Sequence, residues 1–337
     1  METDVQRGIQ NVCLMILAAV AVGFVLVWFR PVLVPFVLAV FVAYGLGPVI
    51  EAQTRFKVPR PLAVLFTLLL GVLLLSVAGA IISTSVRQLS QNADVYQEQI
   101  VLTVETVLAS PVVKELAPDL GDHLDLRSVI PTEQFGAALV GTTNAILDLL
   151  SKGLIVLIFL FFLLSGEAAV RSQGVRLDVE TKIRRYIVVQ GALSAATGLL
   201  VGGILAVLGV PLAMVFGLFA FLLNFIPSIG SIIATLLPLP VVLVSPEISS
   251  TVAILAIALP ALVQFAIGNV ISPKVMGDSL ELHPVTILLA LMVWGALWGI
   301  VGMLLATPIT AVMKMFFERM DQTRPVARVM AGHLSEA

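Results

Sequence analysis

Two polar interruptions in a long apolar stretch hold the residues best suited to chemistry in this sequence. Asn224 is followed closely by Pro227, and Asn269 is followed closely by Pro273. A side-chain amide offers two donors and an acceptor, which suits a polar uncharged solute or, through its oxygen, a cation. Each asparagine could equally cap the broken backbone beside it. These residue types therefore predict binding of a solute, with no bond made or broken.

Each interruption also ends on a glycine. The first reads Asn224-Phe-Ile-Pro-Ser-Ile-Gly230 and includes Ser228, and the second reads Asn269-Val-Ile-Ser-Pro-Lys-Val-Met-Gly277. Proline removes an N–H, and glycine permits the turn that follows, so we expect these residues to shape the break without touching the solute. In lipid, such breaks survive only inside protein or beside a wet cavity. A pair of them predicts a substrate path at which the two unwound points meet in mid-membrane.

Three further side chains are candidates for lining this path. Gln264 lies in the apolar run before Asn269, and an interhelical hydrogen bond is its alternative role. Trp294 and Trp298 are four residues apart and share one helix face, where their rings could stack on a solute. Packing between helices or anchoring at the lipid headgroups is the alternative for both rings.

Lys274 and Asp278 are the candidates for ion coupling. Their i,i+4 spacing lets them pair on a helix. A charge at membrane depth is a functional hypothesis by default, and the alternative is a loop at the water interface. If Asp278 faces the cavity, it is the best proton or sodium site in the chain, with Glu281 and His283 as its nearest titratable neighbours.

Catalytic and cofactor chemistry is disfavoured. Cys13 is the only cysteine, so the chain has no intramolecular disulfide and no cysteine-based metal site. The sequence has no Gly-x-x-x-x-Gly-Lys-Ser/Thr motif, so ATP-driven transport would need a partner chain. His283 is the only histidine in the apolar stretch, and no Gly-x-Ser-x-Gly motif accompanies it, which argues against an intramembrane hydrolase. We predict no enzyme activity, no metal and no cofactor.

The composition indicates that these residues are carried by membrane-spanning helices. The chain is 59% hydrophobic and 12% charged over 337 residues, whereas soluble domains carry roughly 25% charged residues. Its mean hydropathy is +1.08. The net charge of −2 and the absence of a basic stripe give no reason to expect nucleic acid as a partner. The chain is therefore an integral membrane protein.

A helix needs about 20 apolar residues to cross a bilayer. By that measure we predict an all-α fold of about eight transmembrane helices with one broken or re-entrant hairpin. Residues 1–83 hold the first three spans, and 154–164 and 186–208 hold two more. Segments 211–226 and 232–245 are short, and they form either two short helices that meet at Pro227 or a re-entrant hairpin. The remaining predicted elements are a full span at 251–271, a polar loop at 272–283 and a last span at 284–307 that Thr307-Pro308 kinks or ends.

An extramembrane element interrupts these spans. Apolar residues from Val86 to Val107 recur at a spacing of three and four, with acidic and amide residues between them. This pattern predicts an amphipathic helix, and we expect residues 84–148 to form a helical hairpin outside the cell.

Basic residues set the expected orientation. Arg55, Lys57 and Arg60 lie in a short loop, and residues 149–185, which contain the fourth span, end in a basic loop. Positive charge in short loops marks the cytoplasmic side. The end of the chain carries Lys314, Arg319, Arg324 and Arg328, and a tail of residues 321–337 follows the predicted transport core of residues 186–320. We expect both termini to be cytoplasmic and the N-terminal helix to be retained.

Four runs together resemble the autoinducer-2 exporter family, also called PerM-type permeases. They are the two interruptions, Leu282-His-Pro284 and Gly299-Ile-Val-Gly-Met-Leu-Leu-Ala-Thr-Pro308. The resemblance covers nearly the whole chain. It implies an inner-membrane permease surrounded by lipid, without an ATPase domain, that forms a ring-like homo-oligomer, with a pentamer as the expected state. Ser228 stands where many members carry an aromatic residue.

The functional expectation is a secondary-type transporter that exports a small polar molecule such as autoinducer-2 (AI-2). A sodium/proton antiporter is the alternative, which the resemblance also allows. A non-transporting scaffold, whose outward hairpin binds a partner, is the weaker alternative.

Overall fold

The computed structural model of this chain describes residues 2–91, 151–166, 176–245, 248–276 and 282–332. These residues are almost entirely helical, and none of them lies in a strand, so the predicted all-α membrane fold is confirmed. Within the described ranges, five helices are long and apolar enough to cross a membrane. Most of the predicted external hairpin, residues 92–148, lies outside the described residues, as does Asp278.

The described helices are numbered here in chain order. They are α1 (Glu2–Trp28), α2 (Arg30–Arg55), α3 (Arg60–Gln91), α4 (Ser151–Gly166), α5 (Arg176–Val207), α6 (Ala213–Leu223), α7 (Ile229–Leu236), α8 (Leu239–Val244), α9 (Ser250–Phe265), α10 (Ser272–Met276), α11 (Pro284–Phe317) and α12 (Arg324–Ala331). A π-helical segment, Ala266–Ile271, joins α9 to α10.

Prolines begin several of these helices. Pro31 and Pro61 each occupy the second residue of their helix, where the missing N–H would have no partner in any case. Helix α3 continues past the predicted end of the third span at Ser83 as far as Gln91. The sequence indicated this continuation through its apolar spacing beyond the membrane.

The chain divides into two compact units. Unit 1 comprises Met1–Val64, Ile155–Val188 and Asp278–Ala337, and unit 2 comprises Leu65–Leu154 and Val189–Gly277. In unit 1, helix α11 contacts α1, α2 and α12. An ion pair also joins Arg184 to Glu51 at 2.8 Å within this unit.

The core of unit 2 lies where α5, α6, α7, α8 and α9 meet. Its buried apolar residues are Val201, Leu205, Val210, Ala213, Phe216, Ala220, Ala234, Val242 and Ala256. Alanine recurs at the helix contacts because small side chains let helices approach closely in lipid, where van der Waals packing drives association. This core holds the first of the two interruptions in place.

The first interruption forms a helical hairpin. Helices α6 and α7 pack against each other and are joined by residues 224–228. A Cβ atom at Gly230 would collide with the carbonyl of Leu223 and lie 3.2 Å from the Cβ of Ile226. Only glycine allows α7 to start this close to the end of α6. Residues 211–245 thus contain two short helices that meet beside Pro227 and pack against each other, and re-entry of this hairpin into the membrane stays a prediction.

The second interruption differs from the prediction. Residues 250–276 are continuously helical, so Pro273 and Lys274 lie on a helix and not in the predicted polar loop from 272 to 283. The irregularity here is the π-helical segment Ala266–Ile271, which widens the helix without unwinding it.

The predicted last span, 284–307, is also different, because α11 folds back on itself at Gly299. Gly299 has φ 67° and ψ −146°, a conformation that is not helical and is essentially restricted to glycine. The residues before and after it contact each other: Trp294 donates a hydrogen bond to Thr310, and a Cβ at Gly295 would lie 2.9 Å from the side chain of Met303. Pro308, which was expected to kink or end the span, lies inside the returning half.

The two hairpins share a packing motif. Gly230-Ser-Ile-Ile-Ala-Thr235 and Gly302-Met-Leu-Leu-Ala-Thr307 have the same pattern of glycine, two branched apolar residues, alanine and threonine. A Cβ at Gly302 would collide with the carbonyl of Trp294, as one at Gly230 would with the carbonyl of Leu223. The described residues thus hold two helical hairpins where the sequence predicted one broken element.

Candidate functional site

A buried polar stripe runs along α5 in unit 2. Gln190, Ser194 and Thr197 are spaced four and three residues apart, which places them on one helix face. All three are buried, and Ser194 and Thr197 have no exposed surface. Thr197 donates to the carbonyl of Leu193 in its own helix, at 2.8 Å. Gln190 and Ser194 instead reach across to the first hairpin.

Glycines hold α5 and α6 at backbone contact beside this stripe. A Cβ at Gly217 would lie 2.7 Å from the carbonyl oxygen of Gly198 and 2.8 Å from the Cα of Gly202. Gly198 and Gly202 form a small-xxx-small pair, the spacing that lets two transmembrane helices cross closely. The close contact brings the short polar side chains of α5 within reach of the hairpin tip.

Asn224 is the centre of the resulting network. Its backbone carbonyl accepts a hydrogen bond from Gln190 Nε2 at 2.6 Å, and its Nδ2 donates to Ser194 Oγ at 3.0 Å. The side chain is half-buried, and its Oδ1 takes no partner within the described residues. Asn224 therefore ends α6 and links it to α5, and its role in binding a solute stays a prediction.

Ser228 forms the strained part of the hairpin tip. Its φ is 62° and its ψ is −55°, and Ile229 N donates to the carbonyl of Pro227 at 2.7 Å. This is a γ-turn of the positive-φ kind, which is rare and strained for a residue with a Cβ. Strain of this sort persists where the surrounding structure imposes it and clusters at ligand-binding sites.

Asn269 has a different environment. It lies in the π-helical segment, is exposed, and donates through Nδ2 to the carbonyl of Phe265 at 3.3 Å in its own helix. π-Helical turns inside α-helices occur frequently at functional sites. Lys274 follows on α10 and is exposed, while its predicted partner Asp278 lies outside the described residues. No described hydrogen bond joins Asn269 to Asn224.

Gln264 is buried on α9, one residue before the last residue of that helix. Only 5% of its surface is exposed, and neither Nε2 nor Oε1 of its amide has a hydrogen-bond partner among the described residues. The interhelical hydrogen bond considered as its alternative role is therefore not present in the described part of the chain.

Trp294 and Trp298 pack against each other in unit 1, with ring centroids 5.0 Å apart. Trp294 Nε1 donates to Thr310 Oγ1 at 3.3 Å, and Trp298 Nε1 donates to the carbonyl of Leu26 at 3.0 Å. Both indole N–H groups are thus used within the protein. These contacts are those of rings packed between helices, which was the alternative to stacking on a solute.

The described residues of unit 2 carry little charge. They contain Arg87, Lys152 and Lys274 and no acidic side chain. Among the residues described in the whole chain, no group of histidine, cysteine, aspartate and glutamate could hold a metal ion. The polar groups that this unit offers to a solute near the hairpin are amides and hydroxyls.

An apolar groove of about 370 Å³ also lies on unit 2. It is lined by Leu199, Leu200, Gly203, Ile204, Val207, Leu208 and Leu259. None of the predicted path residues lines it, and it offers no polar side chain to a solute.

A sequence model of AI-2E family transporters matches residues 14–322 of this chain. The chain belongs to the AI-2E transporter family. The AI-2 transport protein TqsA of Escherichia coli (strain K12) is 30% identical over 321 residues, covering 89% of each chain. YrrI of Bacillus subtilis (strain 168) is 28% identical over 336 residues, covering 90% of this chain and 93% of YrrI.

The AI-2E membership confirms the resemblance drawn from the four runs, and it makes this chain a multi-pass membrane protein of a transporter family. MT0215 of Mycobacterium tuberculosis (strain CDC 1551 / Oshkosh) is 29% identical over 353 residues, covering 96% of this chain and 93% of its own. The similarity spans both units and both hairpins of this AI-2E transporter.

Sequence reasoning missed the second hairpin of this AI-2E transporter. Its apex, Gly299, lies in a run with no proline, and glycine is common in transmembrane helices. The signal that could have revealed it is the repeat of the Gly230 to Thr235 pattern at Gly302. Internal repeats of interrupted helices are typical of secondary transporters.

Proposed function

We propose that this chain is a secondary transporter that exports a small, polar, uncharged molecule such as AI-2. The observation that carries the proposal is Asn224 at the tip of an interrupted hairpin, where Ser194 accepts from its side-chain amide and Gln190 donates to its backbone carbonyl. It offers an uncharged acceptor in a unit whose described residues contain no acid.

Three lines of reasoning support this assignment. Interrupted membrane helices mark the substrate sites of many secondary transporters, and two hairpins with one shared motif fit that architecture. A donor and acceptor set of amides and hydroxyls matches the hydroxyl and carbonyl groups of a neutral solute. The relative TqsA carries the name of an AI-2 transport protein.

The proposed setting is the inner membrane, with both termini in the cytoplasm and the chain in a homo-oligomer. The basic residues around the short connection of α2 to α3 support this orientation, because Arg55 ends α2, Lys57 lies in the connection and Arg60 begins α3. Labelling a single cysteine placed at Lys57, in a Cys13→Ser background, tests the orientation in intact cells and in inverted vesicles.

The test of function is AI-2 flux in proteoliposomes. The unmodified protein is expected to move AI-2 faster than empty vesicles do, and Asn224→Leu is expected to lower that flux about tenfold, because the amide's hydrogen bonds to the solute are lost. Thr84→Val is the matched control. It removes an exposed hydroxyl that bonds only to carbonyls of its own helix and is expected to leave flux unchanged. Equal flux in Asn224→Leu and the unmodified protein would contradict the proposal.

A further inference from the structure

The amide of Gln264 is a buried polar group with no partner in the described structure. It is 95% buried, since 5% of its surface is exposed, and both Nε2 and Oε1 lack hydrogen bonds there. Leaving such a group unpaired is unfavourable, so buried amides in proteins are paired with protein, water or a ligand. The unpaired amide does not stabilise the solute-free protein, so its presence at residue 264 needs another explanation.

The helix before Gln264 contains a proline that removes one regular backbone hydrogen bond. Pro260 lies four residues before Gln264 and is fully buried. Proline has no N–H, so the carbonyl of Ala256, which would accept from residue 260 in a regular helix, loses that bond. Ala256 is also fully buried. Side chains on a helix tilt toward its N-terminus, so the Gln264 side chain extends toward the Pro260 turn.

These groups face protein and not lipid. Ala256, Pro260 and Gln264 are spaced four residues apart, so they form one stripe on α9. Ala256 belongs to the core of unit 2, and α9 contacts α7 and α8. The stripe therefore lies on the face of α9 that packs against the arm of the first hairpin.

The hydroxyl donors on α7 are already used. Ser231 donates to the carbonyl of Ser228 at 2.9 Å, and Thr235 donates to the carbonyl of Ser231 at 2.9 Å. No side chain of α7 gives Gln264 a hydrogen bond in the described structure. The amide is left with two donors and an acceptor directed into the packed interior of unit 2.

We propose that Gln264 is a solute-binding residue that donates to and accepts from one neutral, hydroxyl-bearing solute. The proposal rests on the proposed transport function and assigns it a binding point on α9, separate from Asn224. A neutral solute fits better than a cation, because no acidic side chain occurs among the described residues of unit 2.

The adjoining π-helical segment fits this role. Ala266–Ile271 begins two residues after Gln264 and widens the helix at the end where the amide lies. Single π-helical turns occur frequently at functional sites. The segment also holds Asn269, whose exposed amide could accept the same class of solute further along the helix.

The experiment compares Gln264→Met with the unmodified full-length protein in sodium-free buffer. Methionine keeps the volume and removes every hydrogen-bonding group. The probes are AI-2 and ribose, a second neutral polyol, each at millimolar concentration. Thermal unfolding in detergent reports binding, and AI-2 counterflow in proteoliposomes reports transport. Leu262→Met, at a 62% exposed position of the same helix, is the control.

The expected result is that Gln264→Met unfolds at the same or a higher temperature than the unmodified protein, while losing stabilisation by the probe and about tenfold in counterflow. Leu262→Met is expected to match the unmodified protein in both. If Gln264→Met unfolds at a lower temperature or fails to fold, the amide is a structural bonding partner and the proposal is overturned. Unchanged probe binding and counterflow would overturn it as well.

The outcomes separate this proposal from the proposed function. If the unmodified protein binds AI-2 and Gln264→Met binds it equally, the transport function stands and the role of Gln264 fails. If the unmodified protein binds ribose through Gln264 but neither binds nor moves AI-2, the site stands and the AI-2 assignment fails. If it binds neither probe, both proposals are overturned.

Discussion

Trp294 donates a hydrogen bond from its indole nitrogen to the hydroxyl of Thr310, 16 residues later, at 3.3 Å. In an unbroken α-helix, residues that far apart would be separated by about 24 Å. The contact exists because Gly299 reverses the chain between them. The halves on either side, 284–298 and 300–317, are about 22 Å and 27 Å long, and each is shorter than the hydrocarbon core of about 30 Å.

Replacing the glycines of this hairpin should destabilise the protein. Gly299→Ala would place a Cβ on a backbone conformation reserved for glycine, and Gly302→Ala would press against the carbonyl of Trp294. We expect each to lower the free energy of unfolding by about 1–3 kcal/mol, measured by thermal or denaturant unfolding in detergent.

Gly203→Ala is the matched control for these variants. Gly203 lies inside α5, four residues before its last residue Val207, and nothing lies within 4 Å of the point that a Cβ atom would occupy there. Alanine in a helix interior is favoured over glycine by about 0.5–1 kcal/mol, so Gly203→Ala should be neutral or stabilising. Equal losses in Gly203→Ala and Gly302→Ala would contradict the packing account of the hairpin.

The Ser194–Asn224 hydrogen bond should couple the two residues energetically. A double-mutant cycle with Ser194→Ala and Asn224→Ala is expected to give a coupling energy of about 0.6 kcal/mol, the average for interhelical hydrogen bonds in membranes. Unfolding titrations of the two single variants and the double variant provide the measurement. Additive effects would show that the contact contributes nothing to stability.

Replacing Ser228 by glycine should stabilise the protein. Its positive φ strains a residue that has a Cβ, and glycine adopts that region freely. Ser228→Gly is expected to raise the free energy of unfolding by about 1 kcal/mol, whereas Ser228→Val should lower it by more than that. A stabilising effect of valine would show that the turn is not strained in solution.

Asp278→Asn separates export of a neutral solute from sodium/proton antiport. If antiport runs through this carboxylate, the substitution should abolish proton-coupled sodium flux in proteoliposomes, because asparagine cannot release a proton. Exchange of neutral AI-2 should be retained. Loss of AI-2 exchange in this variant would tie the solute path to Asp278, and intact sodium flux would exclude it as the coupling site.

The break in the first hairpin could be predicted because proline and glycine mark it in the sequence. Pro227 and Gly230 interrupt segments too short to cross a membrane, and the structure has the reversal there. The partners of Asn224 could not be predicted, because Gln190 and Ser194 reach it only through the glycine-mediated approach of α5 to α6. A contact of that kind depends on three-dimensional packing.

Other prolines gave a misleading signal. Pro273 and Pro308 lie inside helices, although Pro273 was expected in a loop and Pro308 at a kink or end. Pro260 also lies inside a helix, as the predicted span 251–271 required. Transmembrane helices tolerate proline, because neighbouring helices and local adjustments satisfy the freed backbone groups. The π-helical segment before Pro273 is one such adjustment. The chain reverses at Gly299, which has no proline nearby, and not at any of these prolines.

Within unit 1, the fold-back of α11 places the first residues of that helix beside the end of α12. His283 N donates to the carbonyl of Met330 at 2.9 Å, and Thr286 Oγ1 donates to the same carbonyl at 3.0 Å. We therefore expect α11 to enter and leave the membrane on the same side, although its 34 residues are long and apolar enough to cross it. A reporter fused after Met330 should lie on the same side of the membrane as one inserted at Leu282. A method that counts every long apolar helix as one crossing would place the C-terminus on the opposite side.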